Sequence, residues 1–225
     1  MSLHLETAEV EPGAAADAAV VLMHGLGADG HDFESVVPEL RPGTGPVLRW
    51  VFPHAPVRPV SISGGYRMRA WFDILGLSSG SPEDEAGIRE SAAAIDRLVE
   101  REARRGIPAD RVVLAGFSQG GALALHTALR HPQRLAGVIA LSTYLPLTTR
   151  LPVEAHPANA AVPIFMAHGT WDDVVPLALG EASRDVLLRQ GYDVEWHTYP
   201  VPHSISAEEI ADVREWLRRA LPPRG

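Results

Sequence analysis

The stretch Arg111-Val112-Val113-Leu114-Ala115-Gly116-Phe117-Ser118-Gln119-Gly120-Gly121-Ala122 joins a β-branched apolar run, a Gly-x-Ser-x-Gly pattern and an alanine- and leucine-rich run. This order predicts a strand, a sharp turn that exposes Ser118, and a helix. The glycines on either side of Ser118 would let the strand and the helix approach closely. The free N–H groups at the start of the helix would face any negative charge that develops beside the hydroxyl. Ser118 is therefore a candidate acyl-accepting nucleophile, and a tight strand-to-helix turn without chemistry is the alternative.

The composition is that of an ordinary globular protein. The 225 residues are 46% hydrophobic and 21% charged, which is enough for one sizeable core, and we expect a single domain over residues 1–225. Strand-like segments alternate with helix-length segments, so the pattern predicts an α/β fold. The formal net charge of −8 argues against a nucleic-acid partner, which would require a basic face.

Two residue types are missing from the sequence, and each excludes a class of chemistry. Without cysteine there can be no disulfide, thiolate nucleophile, iron–sulfur cluster or cysteine-ligated zinc. Without lysine there can be no Schiff-base chemistry, no attachment of pyridoxal phosphate and no P-loop. Among the histidines, none has the i, i+4 His-Glu spacing of a helical zinc site. We expect no cofactor and no metal, and the hydroxyls and carboxylates remain as candidate nucleophiles.

The sequence also indicates the cellular location of the protein. Met1 to Pro12 contains three glutamates, no lysine or arginine and no sustained apolar run, which is unlike a signal peptide. No segment approaches the roughly 18 apolar residues of a membrane span. The sequence therefore predicts a soluble cytoplasmic protein.

Apolar periodicity and turn residues divide the chain into strands and helices. The predicted strands are Ala18–Met23, Val47–Phe52, Val112–Ala115, Gly137–Leu141, Val162–Ala167 and Asp193–Tyr199. The predicted helices begin near Pro82, Gly121, Leu177 and Ser206 and end near Arg105, Arg130, Gln190 and Leu221. Residues 142–161 are too few for a folded lid domain.

Partners for Ser118 are expected in loops that follow later strands, because open α/β sheets carry their chemistry at the carboxyl ends of strands. Asp172 and Asp173 come just after the strand that ends at Ala167, and either could orient an imidazole. His203 lies in the proline-rich loop Pro200-Val201-Pro202-His203-Ser204, and a stiff loop suits a positioned general base. The chain order Ser, Asp, His is that of the α/β-hydrolases.

The other histidines have simpler interpretations. His24 and His168 each lie between an apolar strand and a glycine, where a ring usually packs and forms local hydrogen bonds. His126 falls within a predicted helix and is expected in the core or in a groove. His203 therefore remains the leading candidate for the base.

The glycine-rich turn His24-Gly25-Leu26-Gly27-Ala28-Asp29-Gly30 contains the Gly-x-Gly-x-x-Gly pattern of dinucleotide sites. Acidic side chains at Asp29, Asp32 and Glu34 would crowd the place of a pyrophosphate, which argues against nucleotide binding. We interpret the turn as a loop that aims a backbone N–H into the space above Ser118. The Gln119 N–H would supply the second half of such an oxyanion hole.

Taken together, these motifs resemble the carboxylesterase/phospholipase family, which includes acyl-protein thioesterases and small bacterial carboxylesterases. The resemblance runs from about Ala18 to Leu217. It rests on six motifs in order: His24-Gly25-Leu26-Gly27, Pro53-His54-Ala55-Pro56, Trp71-Phe72-Asp73-Ile74, Gly116-Phe117-Ser118-Gln119-Gly120-Gly121, His168-Gly169 with Asp172 and Val175-Pro176, and His203-Ser204.

The resemblance implies an α/β-hydrolase fold with a mostly parallel central sheet, helices on both faces and no large lid domain. It places the nucleophile, acid and base on Ser118, Asp172 and His203, and the oxyanion donors on the backbone of Leu26 and Gln119. It therefore favours Asp172 over Asp173, and it implies cofactor-independent hydrolysis of carboxylic esters, lysophospholipids or acyl thioesters.

The predicted activity is that of a serine carboxylesterase acting on small esters with short-to-medium acyl groups. An acyl-protein thioesterase, a lysophospholipase and a non-catalytic binding module of the same fold are the alternatives. Apolar residues that could line a substrate groove are Trp71, Phe72, Leu75 and Leu77, although core packing or a homodimer contact would account for them equally well.

Overall fold

The computed structural model describes residues 3–41, 43, 45–77 and 80–222. Its strands are β1 (Thr7–Val10), β2 (Ala18–Met23), β3 (Leu48–Pro53), β4 (Val57–Val60), β5 (Tyr66–Arg69), β6 (Val112–Phe117), β7 (Gly137–Leu141), β8 (Ile164–Gly169) and β9 (Val194–Tyr199). Its α-helices are α1 (Val37–Leu40), α2 (Glu85–Arg104), α3 (Gln119–Arg130), α4 (Leu151–Glu154), α5 (Leu177–Arg189) and α6 (Ala207–Ala220). Single-turn 3-10 helices lie at Glu34–Val36, Ser61–Ser63, Ala109–Arg111 and Pro157–Asn159.

Seven strands form a central sheet in the order β1-β3-β2-β6-β7-β8-β9, and β4 and β5 form a separate antiparallel hairpin. Only the pairing of β1 with β3 is antiparallel within the large sheet. The predicted α/β class and the mostly parallel sheet are confirmed. Because the parallel strands run in one direction, the loops after β2, β6, β8 and β9 all emerge where the carboxyl ends of these strands lie. We call this side the carboxyl edge of the sheet.

The sheet separates two hydrophobic cores, and β6 contributes to both because successive side chains point to opposite faces. Val112 and Leu114 pack with α2 and α3 on one face, and Val113 and Ala115 face α6 on the other. Such burial on both faces explains why the central strands are almost continuously apolar. Helix α1 lies against α6 and completes the cover of the second face.

The six predicted strands and four long predicted helices are all present, with boundaries that differ from the prediction by at most three residues. Two features differ from the prediction: the edge strand β1 and the hairpin of β4 and β5 had no counterpart in it. Residues 142–161 carry only α4 and one turn of 3-10 helix, as expected for a chain without a lid domain in this segment. Within the described part of the chain, no helix is long and apolar enough to cross a membrane.

Candidate active site

The turn between β6 and α3 holds Ser118 in an unusual backbone conformation, with φ 55° and ψ −123°. Its N–H donates to the Leu141 carbonyl at 2.8 Å, and its own carbonyl accepts from the Thr143 hydroxyl at 2.6 Å. A non-glycine residue at positive φ is strained, and it persists where its surroundings hold it in place. The predicted sharp turn from strand to helix, here called the elbow, is therefore present, with Ser118 tied to the neighbouring strand β7.

Two glycines make this turn possible because the backbones meet too closely for any side chain. A Cβ atom on Gly116 would lie 2.2 Å from the carbonyl carbon of Gly120, and one on Gly120 would lie 2.1 Å from the Met23 carbonyl oxygen. Strand β2 therefore also approaches the start of α3. This approach brings the loop after β2 next to Ser118, and a Cβ built on Gly25 would be 3.4 Å from the Ser118 Cβ.

The loops after β8 and β9 bring an acid and an imidazole together. His203 Nδ1 donates to Asp172 Oδ2 at 2.7 Å. The other carboxylate oxygen of Asp172 accepts from the backbone N–H groups of Val174 at 3.0 Å and Val175 at 2.8 Å. Because Nδ1 carries the donated proton, Nε2 of His203 is left as an acceptor. Asp173, the rival acid, is exposed.

The imidazole of His203 lies next to the elbow. Its ring packs on the Phe117 ring with 4.6 Å between centroids, and Phe117 immediately precedes Ser118. His203, Ser118 and Leu26 line one cavity of about 510 Å³. The arrangement brings a hydroxyl, an imidazole with a free acceptor nitrogen and the loop after β2 to a common space.

Two buried histidines support the loops that form this space. His24 Nδ1 donates to the Gly25 carbonyl at 2.7 Å, and its Nε2 accepts from the Ala55 N–H at 3.0 Å. Burial lowers the pKa of His24, which favours the neutral ring that this bonding requires. His168 Nε2 donates to the Val175 carbonyl at 2.8 Å and so braces the loop that carries the acid. The local hydrogen bonding predicted for both rings is confirmed.

The side chain of Gln119 has a structural function that the sequence prediction did not include. Its amide donates to the Phe72 carbonyl at 2.7 Å and accepts from the Trp71 N–H at 2.8 Å. The first N–H groups of a helix have no intrahelical acceptor, so the backbone N–H of Gln119 at the start of α3 is available to a ligand. An amide at this position was visible in the sequence, but its partners 47 and 48 residues away were not.

The four predicted substrate-binding residues do not line the cavity that contains Ser118 and His203. Trp71 and Phe72 are buried in the core at 0% and 2% exposure. Phe72, Leu75 and Leu77 instead line a second cavity of about 400 Å³. Trp71 is therefore a core residue, which was the alternative to a place in a substrate groove. Its indole N–H donates to the His24 carbonyl at 2.9 Å.

Residues 3–41, 43, 45–77 and 80–222 contain no group of three or more histidine, aspartate or glutamate side chains arranged to hold a metal ion. At this edge of the sheet the His203 and Asp172 side chains are instead paired with each other. Ser118 and His203 lie in the wall of the same cavity.

Comparisons with known proteins agree with this geometry. Residues 5–221 match the phospholipase/carboxylesterase family. The chain is 37% identical over 238 aligned residues to the acyl-protein thioesterase 1 of Cryptococcus neoformans, covering 98% of this chain and 100% of that protein. It is 41% identical over 214 residues to the acyl-protein thioesterase 1 of Neurospora crassa, covering 91% of this chain and 87% of that protein.

The fold has solved relatives as well. The crystal structure of Zea mays acyl-protein thioesterase 2 matches with a TM-score of 0.85 and 33% identity, covering 96% of this chain and 98% of the other. The fold is that of the α/β-hydrolases. The chain belongs to the phospholipase/carboxylesterase family, whose members hydrolyse carboxylic ester and thioester bonds.

Proposed function

We propose that the chain is a serine carboxylesterase that hydrolyses esters of short-to-medium acyl groups, with Ser118, His203 and Asp172 as the catalytic triad. The observation that carries the proposal is the 2.7 Å hydrogen bond that holds the His203 ring beside the strained turn of Ser118. A nucleophile, a base within the same cavity and a buried acid that orients the base are the parts that acyl transfer requires.

In the proposed reaction, Ser118 Oγ attacks the ester carbonyl carbon while His203 Nε2 takes its proton. The tetrahedral intermediate then collapses, the bond to the leaving oxygen breaks, and His203 gives the proton to that oxygen. A water molecule, deprotonated by His203, attacks the acyl-enzyme and releases the carboxylic acid, which restores Ser118. Asp172 stabilises the imidazolium that forms in each half of the cycle.

The negative charge on the carbonyl oxygen needs hydrogen-bond donors that are in place before the reaction. We assign this role to the backbone N–H groups of Leu26 and Gln119. Support comes from Gln119 being the first residue of α3 and from Leu26 lining the same cavity as Ser118. The loop of Leu26 is held by the donation of the Gly27 N–H to the Arg69 carbonyl at 2.9 Å.

The acyl group is proposed to extend toward the second cavity, where Phe72, Leu75 and Leu77 form an apolar wall. The Gln119 side chain connects this cavity wall to the turn at Ser118, because it forms hydrogen bonds with the backbone of Trp71 and Phe72. Trp71 itself would act as a support beneath this wall. A pocket of this size and character is usual for small-molecule sites.

Replacement of Ser118 by alanine tests the proposal. We expect Ser118→Ala to lower kcat for p-nitrophenyl butyrate by on the order of a million-fold, because the triad acts as a unit. A fluorophosphonate probe should label the native protein and not the variant. Ser142→Ala, at the end of β7, is a control serine variant that should keep the label. Hydrolysis by Ser118→Ala near the native rate would reject the triad, and failure to label Ser118 would favour a non-catalytic binding module.

Thioester hydrolysis on acylated proteins is the second candidate activity. It is favoured by two relatives of 37% and 41% identity that are acyl-protein thioesterases. Kinetics on an oxygen ester and a thioester with the same acyl group would separate the two activities. A lysophospholipid in the same panel would test the lysophospholipase alternative.

The proposal includes a small ester as the partner, a cytoplasmic location and a possible homodimer. Cell fractionation tests the location, and sedimentation equilibrium tests the oligomeric state. A monomer at micromolar concentration would remove the dimer from the proposal without changing the chemistry.

A further inference from the structure

The cavity that contains Ser118 and His203 is much deeper than the reaction itself needs. Its mouth is formed by exposed residues such as Asp32 and Val174, and its inner wall by Val20 and Trp50, which are at most 1% exposed. It therefore runs from the carboxyl edge of the sheet down between the sheet and the layer of α1 and α6.

The size of this cavity is unusual for a packing defect. Protein interiors are close-packed, with few voids larger than a water molecule, and cavities in a core reduce stability in proportion to their volume. The cavity of about 510 Å³ has a wall that is mostly aliphatic and aromatic, with Ile139 and Leu141 from the sheet and Ile210 and Val213 from α6. Such a wall suits an apolar ligand, because burial of each methylene is favourable.

The position of His203 decides which part of an ester would enter. His203, Ser204 and Ile205, all from the loop after β9, form one side of the cavity. The general acid must reach the leaving oxygen to protonate it, so the leaving group lies on the side of this imidazole. The cavity of Phe72, Leu75 and Leu77 contains neither Ser118 nor His203 in its wall.

The charge of the wall limits the chemistry of the leaving group. Among the described lining residues the cavity has one carboxylate, that of Asp32, and no arginine. A phosphodiester or a phosphate-bearing thiol would meet no cation there and would be repelled by Asp32.

We propose that this cavity binds the leaving alcohol of the substrate, and that the preferred leaving group is an uncharged primary alcohol with a long unbranched alkyl chain. The inference rests on the proposed function and specifies its substrate. It predicts esters of short acids with fatty alcohols as the preferred class, in contrast to esters in which the long chain is the acid.

Two series of esters test this inference: acetates of n-alcohols from methanol to decanol, and methyl esters of n-alkanoic acids of the same lengths. We expect kcat/KM of the native protein to rise along the alcohol series by up to about fourfold for each methylene until the cavity is filled. Ile210→Trp fills the cavity from α6, and it should abolish the rise along the alcohol series while leaving in place any dependence of kcat/KM on acid length in the methyl ester series. Glu208→Trp adds the same side chain at an exposed position of α6 and should leave both series unchanged.

Val36→Phe fills the cavity from the residue that precedes α1 and provides a second variant if Ile210→Trp does not fold. An alcohol series with constant kcat/KM in the native protein would overturn the inference, and so would a cavity-filling variant that abolishes the rise along the acid series instead. Failure of the proposed function has a different outcome: methyl acetate hydrolysis would persist in Ser118→Ala.

Discussion

Asp172 and Asp173 are consecutive residues after β8, yet their side chains have different surroundings. The Asp172 side chain is fully buried, with both oxygens hydrogen-bonded, whereas Asp173 is exposed. A buried carboxylate is tolerated only where donors surround it. One of these donors is the His203 ring, so a change at Asp172 acts directly on the imidazole.

We expect Asp172→Asn to lower kcat/KM for p-nitrophenyl acetate by on the order of a thousand- to ten-thousand-fold. The amide of asparagine can donate to Nδ1 of His203, which favours the tautomer with the proton on Nε2. That nitrogen could then no longer accept the proton of Ser118. Asp173→Asn is the matched control and should retain native kinetics. Equal losses in the two variants would contradict the assignment of the acid.

Residue types alone left this pair undecided, because both acids follow the same strand. The motif resemblance favoured Asp172, and the difference in burial agrees with it. The aromatic pair Trp71 and Phe72 is the opposite case, since the sequence allowed either a substrate groove or the core. The sequence shows that a side chain is apolar, but it does not show which surface that side chain packs against.

At the scale of elements, the start of α6 combines a helix cap with a buried acid. Ser206 Oγ accepts from the Glu209 N–H at 3.0 Å and so caps the helix whose start was predicted near Ser206. The Glu209 side chain is buried, and burial raises its pKa to about 7. The nearby Asp212 carboxylate adds to this rise, and a hydrogen bond from the Ser206 backbone reduces it.

This shift predicts a pH-dependent stability that Glu209→Gln should remove. Between pH 4.5 and about 7 the folded state binds more protons at Glu209 than the unfolded state does, so stability falls as the pH rises. The variant should therefore gain up to about 3 kcal/mol in unfolding free energy relative to the native protein on going from pH 4.5 to pH 8. Urea unfolding at both pH values measures this difference in unfolding free energy, and Glu208→Gln, at an exposed position, is the control. If the unfolding free energies of the native protein and the variant changed equally with pH, the raised pKa of Glu209 would be disproved.

The long elements of the fold were predictable because each has a local signature. The burial of the central strands on both faces produces apolar runs, and Ser206 with Glu209 marks a helix start. Strand β1 has no such signature: its four residues include Thr7 and Glu9, and all four are half-buried. The hairpin strand β5, with Arg67 and Arg69, likewise lacks an apolar face. Strand β1 forms by pairing with the distant strand β3, and β5 by pairing with the nearby strand β4, and neither has an apolar pattern that would reveal it in the sequence.

At the scale of the whole molecule, one buried glutamate connects three parts of the fold. Glu102, on α2, is 0% exposed and pairs with Arg49 of β3 at 2.8 Å and with Arg105 at 2.9 Å. The same two arginines pair with Glu11, just after β1, at 2.8 and 2.6 Å. The network therefore fastens the antiparallel edge of the sheet to the longest helix.

Glu102→Ala should lower the unfolding free energy by about 1.5 to 3 kcal/mol, because it removes buried charge-assisted hydrogen bonds to Arg49 and Arg105, although both arginines keep Glu11 as a partner. Urea unfolding with an unchanged slope measures the loss. Exposed Glu100→Ala on the same helix should change stability by less than about 0.5 kcal/mol. A loss at Glu102 no larger than that at Glu100 would show that the network contributes nothing.

The sequence by itself determined the alternation of strands and helices, the turn at Ser118 and the positions of the candidate nucleophile, acid and base in loops after strands, because each of these depends on neighbouring residues. The tertiary structure decided which groups meet. The buried carboxylate of Asp172 accepts a hydrogen bond from His203, and the side chain of Gln119 accepts one from the Trp71 N–H. The deep cavity lies between the sheet and α6. These contacts arise from the approach of segments distant along the chain, and the space between such segments depends on how whole elements pack.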